Sequence, residues 1–255
     1  MKVVILAGGR GTRISEESLV KPKPMIEIGD NPIIWHIMKI YSYYGFNDFI
    51  VCCGYKGHMI KEYFTDYYIH QSDITVDLCD NSVQIHENEV EPWKITLVNT
   101  GLDTNTAGRV LKVKKYIGDE PFMFTYGDGV SDVNIQELLK FHKECGKIAT
   151  ITASKPAGRF GAISIEKNEV LSFREKNTED EAWVNIGFAV FEPAVFEYLG
   201  DGSQMLETEP YEKLAADHEM TAYKHYGFWH PMDTMRDKIV LENLWDNDEA
   251  PWKIW

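Results

Sequence analysis

Val3-Val-Ile-Leu-Ala-Gly-Gly-Arg-Gly-Thr-Arg13 stands at the head of the chain. Val3 to Ala7 is uninterrupted apolar sequence rich in β-branched residues, as expected of a strand covered on both faces in a parallel sheet. Gly8-Gly9 ends it. The scheme repeats downstream. Asp30-Asn31-Pro32 reads as a helix start, with an Asx N-cap and proline in the first turn. Ile33, Ile34, Ile37, Ile40, Tyr41 and Tyr44 then recur at helical spacing until Gly45. Phe49–Cys53 is a second buried strand closed by Gly54, and His58–Tyr68 a second helix with Ile60, Tyr63, Phe64 and Tyr67 on one stripe. Strand–helix alternation predicts an α/β chain of βαβ units, a parallel sheet with helices on both faces.

Between roughly 75 and 100 the pattern shortens and alternates, which predicts a small β-hairpin or flap inserted into this frame. Phe122–Tyr126 is another buried strand, ending at Gly127-Asp128-Gly129. Asp132 is expected to cap a helix carrying Ile135, Leu138, Leu139 and His142. Strands are expected over 148–153, 162–165, 170–173 and 184–191, and helices over 193–199, 210–217 and 234–245. No repeat or low-complexity linker divides residues 1–255, which reads as one domain with an insertion.

Basic residues number 26 and acidic residues 40, a net charge of −14, so the surface disfavours nucleic acid and anionic membranes as partners. No apolar run reaches the ~20 residues of a membrane span, and the start does not resemble a secretory signal. Cys52, Cys53, Cys79 and Cys145 form no CxxC pair; reduced thiols in a cytoplasmic protein are expected. His142 and Cys145 lie one helical turn apart, but no second ligand pair accompanies them, so an exposed helix end is the simpler reading. His36, on an apolar helix face, reads as a packed core histidine.

Against that acidic background, Arg10, Arg13, Lys21 and Lys23 crowd into fourteen residues. Gly8, Gly9 and Gly11 would let backbone N–H groups approach an anion closely. Arg13 adds a planar fork suited to phosphate, and the prolines of Lys21-Pro-Lys23-Pro24 stiffen the loop that carries Lys23. A polyphosphate accounts for this concentration; the alternative is a glycine-rich turn beside a solvated basic stretch. The motif is not a Walker P-loop, since no Lys follows Gly11. Nor is it a dinucleotide fingerprint, because Ile14 stands where the third glycine belongs. Glu27 lies near the distance of a ribose-binding acid, yet a dinucleotide reading leaves Arg13 and Lys23 unexplained.

Leu6-Ala-Gly-Gly-Arg-Gly-Thr-Arg13 with Pro22-Lys-Pro-Met25 resembles the signature of the sugar-1-phosphate nucleotidyltransferases. The closer similarity is to the cytidylyl branch, carried by Cys52-Cys-Gly-Tyr-Lys-Gly57, Val90-Glu-Pro-Trp93, Phe124-Thr-Tyr-Gly-Asp-Gly129, Gly158-Arg-Phe-Gly-Ala162, Gly227-Phe-Trp-His-Pro-Met-Asp-Thr234 and Ala250-Pro-Trp-Lys253. The likeness spans essentially the whole chain. One departure is Glu175-Lys176-Asn177, where many members have proline after the lysine.

The resemblance implies a Rossmann-like, mostly parallel mixed sheet flanked by helices, the nucleotide-diphospho-sugar transferase fold. It implies Mg²⁺-dependent transfer from CTP to glucose 1-phosphate by in-line attack. Asp128 and Asp233 would hold the metal, Lys23 and Arg13 would neutralise the phosphates, and Leu6, Ala7, Gly8, Gly9, Arg10, Gly11, Thr12 and Gly127 would line the nucleotide site. Thr104-Asn-Thr-Ala-Gly108-Arg109 would form a second nucleotide-contact loop, with Arg109 donating to the base; the alternative places Arg109 on the surface. Glu175, Lys176, Asn185 and Gly187 would meet the sugar phosphate, although Asn185 has a backbone hydrogen bond as its other option. Asp128 has the alternative of a turn residue, and Asp233 that of a helix cap. Rival functions are a uridylyl- or thymidylyltransferase of the same fold and a non-catalytic sugar-nucleotide sensor. A homo-oligomer is expected, with Tyr63, Tyr67, Tyr68, Trp245, Trp252 and Trp255 at a subunit interface or in the core.

Overall fold

Val3, Ile5 and Ala7 point to one face of their strand and Val4 and Leu6 to the other, and both sets are buried. A strand that must bury both faces belongs in the middle of a sheet, and Lys2–Ala7 (β1) lies there. The computed structural model describes residues 1–88, 90–155, 162–166, 169–174 and 183–255. In chain order, β1 is followed by helix α1 (Ile33–Tyr43), strand β2 (Asp48–Cys53), helix α2 (Gly57–His70), the hairpin strands β3 (Ser72–Asp77) and β4 (Ser82–Asn88), and strand β5 (Lys94–Asn99). Then come α3 (Thr106–Ile117), β6 (Phe122–Tyr126), β7 (Gly129–Ser131), α4 (Ile135–Cys145), β8 (Ala149–Ser154), β9 (Ala162–Glu166), β10 (Glu169–Arg174) and β11 (Val184–Phe191). Helix α5 (Glu209–Ala216), β12 (Met220–His225), β13 (Trp229–Pro231) and α6 (Met235–Asp246) complete the order.

The central sheet runs β12-β8-β11-β6-β1-β2-β5. Strand β11 is antiparallel to β6 and β8, and the other ladders are parallel. The sheet is therefore the expected mixed, mostly parallel one. Helices α1, α2, α4 and α6 cover one face; α3, α5 and the 3-10 turn Pro193–Tyr198 cover the other. β1 pairs with β2 on one side and with the distant β6 on the other, a reversal of strand order that leaves a crevice at the carboxyl ends of β1 and β6.

Several local expectations are corrected. Asn31 and Pro32 are not the first turn of α1; they pair with Glu27–Ile28, and Pro32 is the N-cap. Asn134, not Asp132, caps α4, its side chain accepting from Glu137 N–H at 3.0 Å. The inserted hairpin is residues 72–88, while Lys94–Asn99 joins the central sheet beside β2. Gly108 and Arg109 lie in the first turns of α3 rather than in a loop. His36 is a core residue as expected: Nε2 meets the Ile28 carbonyl at 2.9 Å, and Trp35, Trp245, Trp252 and Trp255 surround the ring. Those C-terminal tryptophans and the stacked Tyr67–Trp93 pair thus pack within the chain.

Candidate active site

The glycine-rich segment leaves β1 at its carboxyl end, where the chain must turn away from the sheet. Gly8 is buried there. Its carbonyl accepts from Tyr55 N–H at 3.1 Å and from Arg109 Nη2 at 3.0 Å. A Cβ on Gly8 would stand 2.1 Å from Arg109 Nη1, so only glycine fits. Beyond it a cleft of about 210 Å³ is lined by Leu6, Ala7, Gly9, Gly11, Thr12, Arg13, Lys23, Pro24, Gly127, Asp128 and Asp233. Nucleotide-sized sites run to several hundred Å³, so this cleft suits phosphates rather than a whole nucleotide.

Lys23 is 8% exposed on its rigid 3-10 turn. Its ammonium donates to Asp128 Oδ2 at 2.8 Å and to Asp233 Oδ1 at 2.6 Å. Burial pulls its pKa down, but the two carboxylates outweigh burial and hold it above the ordinary lysine value. Arg13 Nη1 meets the other oxygen of Asp233 at 2.8 Å, while three quarters of the Arg13 side chain remains in water.

Two carboxylates distant in sequence converge here because their flanking segments pair. Gly129–Ser131 and Trp229–Pro231 form an antiparallel ladder, and Met232 N–H donates to the Asp128 carbonyl at 2.8 Å. Asp233 is not the cap of α6. Thr234 is the N-cap, Asp237 completes a capping box with it, and Asp233 N–H also donates to Asp237 at 3.1 Å. The Asp233 carboxylate is thereby left to face Arg13 and Lys23. Among the described residues no third His, Cys, Asp or Glu joins these two as a metal-binding group. One or two carboxylates opening onto a phosphate-sized cleft is the donor set that suits Mg²⁺, which takes its remaining oxygens from water and substrate phosphate. The residues present therefore fit that ion.

Other expected site residues stand apart from the cleft. Arg10 pairs with Asp103 at 2.8 Å in the open. Arg109 is neither on the surface nor free to read a base: it is 5% exposed. Its Nη1 donates to Thr100 Oγ1 (2.7 Å) and the Gly101 carbonyl (2.8 Å), and its Nη2 to the Gly8 and Leu102 carbonyls. The guanidinium clamps the glycine-rich turn to the 100–102 turn. Thr104 Oγ1 donates inward to the Thr100 carbonyl at 2.6 Å. Gly108 lets α3 pack on the Gly202 carbonyl, which a Cβ would meet at 2.4 Å. Asn185 Oδ1 accepts from Gly187 N–H at 3.0 Å, the backbone option. Gly187, at φ +89°, lies under the Tyr126 ring, which a Cβ would meet at 2.3 Å. Glu175 and Lys176 lie outside the described residues.

Sequence reasoning missed Glu207. One oxygen of its carboxylate accepts from the Tyr126 hydroxyl, and the other from Thr106 Oγ1 at 2.7 Å. It ties the end of β6, two residues before Asp128, to the start of α3. Nothing in the Ser203–Thr208 stretch singles it out from neighbouring acids.

A sequence profile described as nucleotidyl transferase matches residues 2–234. The chain belongs to the nucleotidyl transferase family. Within that family it is 53% identical to the glucose-1-phosphate cytidylyltransferase of Salmonella typhi over 100% of both chains. It is 46% identical to a probable glucose-1-phosphate cytidylyltransferase of Bacillus subtilis, again over 100% of both. Among solved structures, a UDP-glucose pyrophosphorylase complexed with UDP-glucose superposes with a TM-score of 0.70 over 97% of this chain and 98% of that one, at 18% identity. That likeness carries the nucleotidyl transferase fold.

Proposed function

We propose that this chain transfers a cytidylyl group from CTP to glucose 1-phosphate, forming CDP-glucose and pyrophosphate. The observation that carries the reading is Lys23, buried and charged, gripping Asp128 and Asp233 at the rim of a glycine-rich cleft. The choice of base and sugar rests on the full-length relatives at 53% and 46% identity, whose names specify those substrates.

An oxygen of the sugar phosphate attacks the α-phosphorus of CTP in line. The new O–P bond forms as the bond from the α-phosphorus to the oxygen bridging to the β-phosphorus breaks, and that oxygen leaves with pyrophosphate. The attacking oxygen is already ionised, so no general base is required. The task is to bring two anions together and hold them aligned. Lys23 keeps its proton and stands where the sugar phosphate and α-phosphate meet. Arg13, mostly in water, turns from Asp233 to the departing pyrophosphate. Gly9 and Gly11 let the backbone approach the triphosphate. Asp128 and Asp233 would hold Mg²⁺, which supplies charge neutralisation on phosphate oxygens when bound. Glu175 and Lys176 take the glucose 1-phosphate beside Gly187, and Asn185, whose oxygen holds Gly187 N–H, reaches it through its amide nitrogen. The protein works in the cytoplasm as a homo-oligomer; its four cysteines are free thiols, and no helix among the described residues is long and apolar enough to cross a membrane.

Chelation followed by Mg²⁺ titration tests the metal arm. CDP-glucose formation is expected to vanish with chelator and return with Mg²⁺. Turnover that resists exhaustive chelation contradicts it.

A further inference from the structure

Glu207 has no part in the reaction described above, yet both oxygens of its half-buried carboxylate are engaged. One accepts from the Tyr126 hydroxyl, the other from Thr106 Oγ1 at 2.7 Å. Docking of its own segment does not need them. Gly202 packs on Gly108, the Ser203 carbonyl accepts from Asn105 Nδ2 at 2.6 Å, and Leu206 N–H donates to Thr106 Oγ1 at 2.7 Å.

What the carboxylate adds is a fixed Tyr126 ring. Strands β6 and β11 run antiparallel, with Phe124 opposite Ala189. Continued toward the cleft, that register brings Tyr126 to Gly187, and a Cβ on Gly187 would stand 2.3 Å from the ring. Gly187 N–H in turn donates to Asn185 Oδ1 at 3.0 Å, which sets the direction of the Asn185 amide. An unbroken chain of contacts therefore runs from Glu207 through Tyr126 and Gly187 to Asn185. Tyr126 keeps its proton, since burial above all, then Tyr211 and Glu207, pushes its pKa above the ordinary tyrosine value. A hydroxyl donating to a carboxylate makes a stronger bond than a neutral pair does. Gly187, at φ +89°, has no side chain of its own to hold its backbone in place.

We propose that Glu207 is a positioning residue for the sugar phosphate: it pins the Tyr126 ring against Gly187 and so fixes the Asn185–Gly187 turn beside that substrate. The inference deepens the function proposed above and rests on its assignment of Asn185 and Gly187 to glucose 1-phosphate. A site holds its ligand closely only when the residues behind it are themselves held.

Initial-rate kinetics on the full chain, with CTP and glucose 1-phosphate varied in turn, test this. Tyr126→Phe keeps the ring and removes the hydroxyl; Glu207→Ala removes the acceptor. Each is expected to raise KM for glucose 1-phosphate about tenfold, the scale of one hydrogen bond to a charged group. KM for CTP should stay within about twofold, because the nucleotide loop is not touched. Both changes break one contact, so the double variant should be about as impaired as either single one. Glu207→Gln, whose amide can accept from Tyr126 and donate to Thr106 Oγ1, should recover most of what Glu207→Ala loses. A wild type that transfers nothing to glucose 1-phosphate fails the function reading itself. With an active wild type, an unchanged KM for glucose 1-phosphate in Tyr126→Phe, equal rises for both substrates, or additive losses in the double variant overturns the positioning role. A lower Tm with both KM values unmoved assigns Glu207 to stability alone and overturns it as well.

Discussion

At the scale of single residues, the site is a balance of charge around one lysine. Asp128→Asn and Asp233→Asn each remove a carboxylate that serves both Lys23 and the proposed metal. Each is expected to lower kcat at saturating substrate at least about a hundredfold, the scale for removing a key electrostatic group. A folded variant of either that turns over near the wild-type rate removes that residue from the site. Arg109 behaves differently. Its four hydrogen bonds hold the Gly8 carbonyl and the 100–102 turn, so its loss disturbs the nucleotide loop whatever base is bound. Arg109→Ala is expected to raise KM for CTP and UTP by similar factors, leaving their kcat/KM ratio nearly unchanged, and to lower Tm. A variant that changes the ratio tenfold while keeping Tm would restore Arg109 to base reading. Arg13 and Lys23 stood out in the sequence because basic charge crowds there against an acidic background, and Asp128 because it sits at a glycine-flanked strand end; Asp233, and the metal role of both acids, came only from the family resemblance. Burial was not legible: a string of letters does not reveal that Arg109 faces inward, or that Glu207 receives the Tyr126 hydroxyl.

At the scale of elements, strands buried on both faces were read best, since an unbroken β-branched run has few other uses. β1, β2, β6 and β11 lie within a residue or so of expectation. Edge elements were read worst. Lys94–Asn99 alternates because it borders the sheet, and alternation resembles a hairpin. Helix α3 was overlooked although Ala107, Val110, Val113 and Ile117 are spaced as a buried helical stripe, because Gly108 and a run of lysines mask it. The cap of α6 has a functional consequence. Thr234 and Asp237 satisfy the helix start, and this releases Asp233 to the cleft. Asp237→Ala should cost about 1 kcal/mol of stability, a typical capping loss. It should also raise the Mg²⁺ concentration for half-maximal activity, as Asp233 turns back to cap the helix. A Tm loss with an unmoved Mg²⁺ requirement would show that Asp233 does not depend on the box.

At the scale of the whole molecule, the sheet brings β1 and β6 side by side, so the glycine-rich loop and Asp128 share one edge, and the β7–β13 ladder delivers Asp233. The aromatic layer beneath them contains a titratable weak point. Burial pushes the His36 pKa down to about 4 from 6.5. The unfolded chain then binds a proton that the folded chain refuses between these values, so stability falls as pH drops from about 6.5 toward 4. The loss from His36 alone approaches about 3 kcal/mol at the acid end, at roughly 1.4 kcal/mol per pH unit. The difference in unfolding free energy between wild type and His36→Gln, followed by urea titration across this range, should narrow as pH falls; a constant difference removes His36 as the cause. The central claim is the reaction itself. Purified chain with Mg²⁺ and glucose 1-phosphate is given CTP, UTP, dTTP, ATP or GTP in turn, and pyrophosphate release is followed. The account predicts release with CTP, matched mole for mole by CDP-glucose, and kcat/KM lower by roughly powers of ten for the others, the scale reached by a site that hydrogen-bonds the group distinguishing its substrate. Equal release with UTP or dTTP, or none with CTP, would contradict it.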